Sequence, residues 1–185
     1  MYKLTKFFLG LLLFLLLTNV TVYAREVPIY DGSVEQMIKY TAEDAKEMKF
    51  SLWGKEYYTY NGENYCKVCF GDSKNNIIYF KPNGNKVQKV WICITANSAE
   101  AMKSSVQAGV VLGATLIHIG LTEDEYHNLM DKYMKDWYDA INQNPPPSNY
   151  SKNYSVWCSG AKRKIHLHVE GKNSGLTLHI HASDN

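Results

Sequence analysis

The chain has 185 residues, 45% of them hydrophobic, with 20 basic against 18 acidic side chains. That near-neutral balance excludes the basic surplus or stripe expected of a nucleic-acid or anionic-membrane binder, because the one cationic run is the short Ala161 to Lys164. The length fits one domain, enough to bury about two thirds of its unfolded surface.

At the amino terminus, Lys3 and Lys6 precede an apolar run from Phe7 to Leu17, and Val22 and Ala24 put small residues where a signal peptidase reads them. The run stops at Thr18 and Asn19, short of the ~20 apolar residues that a membrane-spanning helix needs. Residues 1–24 are therefore expected to be a cleaved secretory signal. Residues 25–185 would be a single exported domain, secreted or periplasmic, with 18 charges of each sign once Lys3 and Lys6 are removed. No stable membrane insertion is expected after cleavage.

An amphipathic helix is expected within residues 31–50. Ser33 and Gln36 form a capping box, and Val34, Met37, Ile38, Thr41, Ala45 and Met48 share one face. Strand signals follow. "KEYYTY" and "ENYCKVCF" meet at Asn61-Gly62, a dipeptide whose tolerance of positive φ suits a two-residue hairpin turn. Turns at "GDSKNN" and "PNGN" then lead into "IIYFK" and "KVQKVWICITA", completing a four-strand antiparallel meander.

After a cap at Asn97 and Glu100, "AMKSSVQAGVVLGATLIHI" reads as a helix buried nearly all round, with a strand through the β-branched "TLIHI" as the alternative at its end. Gly109 and Gly113 would let another backbone approach, but Ser104, Ser105 and Gln107 interrupt the apolar surface that membrane pairing requires. Thr122 with Glu125, and Leu121 with Tyr126, supply a capping box and a hydrophobic staple for a third helix. Its stripe of Tyr126, Met130, Tyr133, Trp137 and Ile141 reads as a face packed on the sheet rather than a ligand platform. A Pro-rich internal linker over 143–153 ends that helix, and "YSVWC", "RKIHLHVE" and "LTLHIHA" supply three further strands. The order α-ββββ-αα-βββ predicts an α+β fold, an antiparallel sheet covered by about three helices.

Four cysteines in an exported chain suggest disulfides. Cys93 and Cys158 both sit in apolar, strand-like surroundings and are expected to be joined across the sheet, with two packed free thiols as the alternative. Cys66 and Cys69 form a C-x-x-C, but strand-forming flanks with no helix after them favour a structural bridge or plain packing over redox catalysis.

Four of the six histidines stand in "KIHLHVEGKNSGLTLHIHASDN". Alternation puts Ile165, Leu167 and Val169 on one side of the first strand, and His166, His168 and Glu170 on the other. Leu176, Leu178 and Ile180 form the apolar side of the second strand, which leaves Thr177, His179 and His181 opposite. For both apolar sides to face one core, the loop must hold an even number of residues: two, Asn173-Ser174, or four, Lys172 to Gly175. Either choice sets His168 across from His179 and His166 across from His181.

Directly opposed Cβ atoms lie ~5 Å apart, close enough for three or four imidazoles to turn toward one transition metal, Zn or Cu, with Ni also suited. The candidate metal ligands are thus His166, His168, His179 and His181. The leading functional reading is nevertheless a non-enzymatic exported domain that binds a protein or small molecule. No G-x-S-x-G, H-E-x-x-H or Gly-rich phosphate loop is present. A metal-binding protein is the second reading. A zinc-dependent hydrolase or lyase, with Glu170 orienting a water, is the third.

Overall fold

The computed structural model describes residues 24–95, 101–143, 148–172 and 175–184. The signal segment up to residue 23, the cap at Asn97 and Glu100, the three prolines of the linker and the turn residues Asn173-Ser174 lie outside the described residues. The elements are β1 (Glu26–Val27), α1 (Val34–Glu47), β2 (Leu52–Tyr60), β3 (Glu63–Phe70), β4 (Ile77–Asn83), β5 (Lys86–Thr95), α2 (Ala101–Ile119), α3 (Glu123–Ile141), β6 (Asn149–Cys158), β7 (Arg163–Lys172) and β8 (Gly175–Ser183). This is the expected α+β order, with the two-residue β1 added in front.

The strands form one antiparallel sheet in the order β2-β3-β4-β5-β8-β7-β6. Two meanders, β2 to β5 and β6 to β8, therefore meet at a central β5–β8 seam. β1 takes over from β5 as the neighbour of β8 at Ala182 and Ser183. All three helices pack on one side, where Val68, Phe70, Ile78, Phe80, Val90, Ile92, Leu167 and Leu178 join Met37, Leu112, Leu116 and Leu129 in one buried cluster.

Local chemistry sets the helix starts. Ser33 Oγ accepts from the Gln36 amide at 3.2 Å while Gln36 Oε1 accepts from the Ser33 amide at 3.0 Å. Thr122 and Glu125 repeat the arrangement, and Glu125 Oε1 also accepts from the Ser159 amide at 2.9 Å, tying the start of α3 to the turn between β6 and β7. α2 stays helical through Ile119, because burial of Leu112, Ala114, Leu116 and Ile119 outweighs the β-branched preference of its last turn. Gly120, at φ 110°, then ends it. Gly113 lets Tyr126 of α3 approach, with its hydroxyl 3.2 Å from where a Cβ would stand, whereas Gly109 faces open space. No helix among the described residues is long and apolar enough to cross a membrane.

Two expectations are corrected. β6 begins at Asn149, so residues 149–153 are strand rather than linker. The polar sequence "NYSKN" hides a strand whose buried side is carried by Tyr150 and Tyr154, their hydroxyls 2.8 Å apart and Tyr154 donating to Asp136 of α3 at 3.1 Å. The Cys93–Cys158 bridge is also absent, and all four cysteines are free. β5 and β6 are separated by β8 and β7, roughly 14 Å of sheet, whereas a disulfide needs Cα atoms within ~7 Å. The two thiols also lie on opposite faces, since Cys158 is in the core cluster and Cys93 alternates with the buried Ile92 and Ile94. Cys66 and Cys69 likewise point to opposite faces of β3, three residues apart. An apolar strand-like setting identified thiols that pack, not thiols that meet.

Candidate functional site

Burying one side of each strand beneath the helices turns the intervening residues to the other face, where no helix among the described residues packs. There the register aligns Lys67, Tyr79, Trp91, His179, His168 and Asn153 in one row across β3, β4, β5, β8, β7 and β6. The adjacent row runs Cys69, Ile77, Cys93, Thr177, Glu170 and Ser151.

β7 and β8 pair to Lys172↔Gly175, which spans residues 173–174, and place His168 opposite His179 and His166 opposite His181. All four imidazoles are thus on the open face, half-buried. Their rings differ in arrangement. His166 and His181 stack at 4.9 Å with 15° between planes, while His168 and His179 meet edge to face at 5.5 Å and 61°.

A ring nitrogen's lone pair lies in the plane of the ring, so two nearly parallel rings cannot direct nitrogens at one ion. The edge-to-face pair could do so after a modest rotation. His166 Nε2 instead engages Ser183 Oγ at 2.9 Å, and His168 Nδ1 engages Asn153 Oδ1 at 2.7 Å. Among the described residues no three His, Cys, Asp or Glu side chains converge to hold a metal.

Burial holds the pKa values of His166, His179 and His181 below the usual imidazole value. His181 and Lys164 add to this at His166, His168 and Lys89 at His179, and Lys89 at His181. Glu170 is engaged by Lys172 at 2.6 Å, which keeps its carboxyl ionised and lowers its pKa. The other two histidines lie elsewhere. His118 stacks on Tyr40 at 4.7 Å and reaches Asp44 at 3.1 Å, linking α2 to α1, and His127 lies 3.8 Å from Glu123 at the start of α3.

One concavity on this face was missed in the sequence. A shallow hollow of about 420 Å³ is lined by Tyr58, Tyr60, Tyr65, Tyr79 and Trp91 together with Cys93, Thr177 and His179. Tyr58 stacks on Tyr65 at 5.6 Å, Tyr65 tilts against Trp91 at 6.0 Å and 56°, and Trp91 meets His179 edge-on at 6.1 Å and 76°. A second hollow of about 260 Å³ shares Trp91 and His179 and continues toward Lys89, Asn153, His168 and His181. The alternation that aligned the histidines would also have found these rings, since Tyr79 and Trp91 flank the buried Ile78, Phe80, Val90 and Ile92.

The groups around the hollow are kept neutral. Burial raises the pKa values of Tyr58, Tyr79 and Cys93, and a hydrogen bond to Glu63, ahead of burial, pushes Tyr65 up to about 12. Three lysines of the same sheet face are paired: Lys67 with Glu56 at 2.8 Å, Lys81 with Glu63 at 2.5 Å and Lys89 with Glu26 at 2.7 Å. Comparison of the chain with protein-family models, with curated proteins and with solved structures returns no match.

Proposed function

We propose that the protein is an exported, non-enzymatic binding domain whose open sheet face is the binding surface. The observation that carries this reading is the aromatic hollow of about 420 Å³ on the side of the sheet away from the helices. Its size falls in the range of small-ligand sites, which pair apolar and aromatic walls with a few convergent polar groups. The chemistry of the lining favours binding over catalysis. The Cys93 thiol is held protonated by burial, so it offers little thiolate, and among the described residues no carboxylate stands at hydrogen-bond distance from His179 to orient it. Export rests on the character of residues 1–24, and mature protein should begin at Arg25 by mass spectrometry.

The test of the surface is protein-observed NMR of the full chain against mixtures of neutral small fragments. Shifts should cluster on Tyr58, Tyr79, Trp91 and His179. Hits confined to the helical side, or no hits, would sink the reading.

A second reading is a transition-metal site for Zn or Cu. It is favoured by the edge-to-face pair His168–His179, and by burial holding His179 toward the neutral imidazole that ligates metal. Titration of Zn or Cu should then give one equivalent bound, lost in the His168→Gln/His179→Gln variant. Protein indifferent to both metals would remove this reading.

A further inference from the structure

We propose that the aromatic hollow binds the pyranose rings of a neutral glycan chain, an assignment that rests on the open face being the binding surface. The ligand class follows from what the hollow offers and lacks. Lys67, Lys81 and Lys89 of the same face are each paired with a glutamate, so a phosphate or carboxylate drawn to them would have to displace an existing ion pair. No carboxylate stands among the lining residues to receive a cation.

Apart from Tyr65, which donates to Glu63, and Cys93 and Thr177, which engage each other, the polar groups that line the hollow are uncommitted. Among the described residues the hydroxyls of Tyr58, Tyr60 and Tyr79, the indole N–H of Trp91 and the ring nitrogens of His179 have no hydrogen-bond partner. A purely apolar ligand would cover these groups and leave them unpaired, which costs the desolvation of each one. A polyol satisfies them, because hydroxyls donate and accept as phenols do.

A pyranose also carries apolar C–H faces between its hydroxyl edges, and such C–H groups sit favourably on the electron-rich face of an aromatic ring. The hollow supplies five aromatic rings together with phenol, indole and imidazole groups that donate or accept, the two-sided chemistry that a sugar requires. Its continuation argues for a chain rather than a single sugar. The second hollow begins at the shared Trp91 and His179 and runs along the same row to His168 and Asn153, two strands further on. One ring, Trp91, would therefore separate two neighbouring sugar-binding subsites.

The experiment is calorimetric and NMR titration of the purified full chain with cellohexaose, chitohexaose and maltohexaose, with choline as the cationic alternative and sedimentation of the free protein as a check for self-association. Saturable binding of at least one hexaose is expected, with shifts on Trp91 and His179. Trp91→Ala should weaken it about tenfold or more, while Trp91→Phe, which keeps a ring, should retain most of it. Tyr79→Phe, which removes the hydroxyl alone, should weaken it less than Tyr79→Ala. Tyr138→Ala, an exposed ring on the helical side, should leave it unchanged. Circular dichroism of each variant separates lost binding from lost fold.

No saturation by any hexaose, preferential choline binding, or a dimer that buries Trp91 would each overturn the proposal. If fragments still gather at Trp91 while no sugar binds, the open face stands as a binding surface and the glycan assignment alone falls.

Discussion

At His166, His179 and His181, burial works against protonation, and the neighbouring imidazoles with Lys89 and Lys164 add to it; Glu26 and Glu170 oppose it only in part. Because these pKa values are lower folded than unfolded, the unfolded chain binds more protons across the interval between them. Stability should therefore be fully retained above the ordinary imidazole value of ~6.5 and fall as pH drops through it toward the depressed folded values. Urea unfolding from pH 7.5 to 5 should show this decline, and His166→Gln/His181→Gln should flatten it. An unaltered slope in the variant would dissociate the stacked pair from the effect. The pairing of these residues was legible, because one hydrophobic pattern on each strand and an even loop leave one register. Ring orientation was not, since it depends on Ser183 and Asn153, which no local pattern connects to the histidines.

Helices and hairpins follow from short-range chemistry, which explains why their starts could be read from Ser33-Gln36, Thr122-Glu125 and Asn61-Gly62. The start of β6 could not, because its buried side is polar-tipped tyrosine satisfied by Asp136 of another element. Glycines separate local from tertiary constraint in the same way, and two of them should respond with opposite signs. Gly109 lies inside α2 with open space where a Cβ would stand, so Gly109→Ala should stabilise by about 0.5–1 kcal/mol through helix propensity and a less flexible unfolded chain. A Cβ on Gly160 would come 2.6 Å from the Gly120 carbonyl oxygen, where the turn after β6 crosses the end of α2. Gly160→Ala should therefore destabilise by about 2 kcal/mol, within the range for backbone strain. Chemical denaturation of both variants checks the pair. Equal effects would mean that the close approach at Gly160 carries no cost.

On the scale of the molecule, the feature that sequence alone left undetermined is the β5–β8 seam, which joins strands separated by α2, α3 and two further strands. Periodicity says that each strand has one apolar side; it does not say which distant strand completes the row. The same gap produced the mistaken Cys93–Cys158 bridge, whose residues were assigned a shared setting without a strand order. The seam has a consequence for folding. The buried cluster passes without a break from Cys66 and Phe80 in the first meander, through Val90 and Ile180 at the seam, to Leu167 and Tyr154 in the second. Neither meander has a core of its own, because α2 packs on β5 while α3 packs on β6 and contacts α2. The two edges should therefore unfold together. Trp53 on β2 and Trp157 on β6 are half-exposed reporters at opposite ends of the sheet. In variants that keep Trp53 or Trp157 as the sole one of the chain's four tryptophans, the fluorescence transitions in urea should share a midpoint, after correction for any stability difference measured by circular dichroism. A β6 edge that melted at lower urea than the β2 edge would show that the seam joins two separately folding halves, and would require a core division that the continuous buried row does not contain.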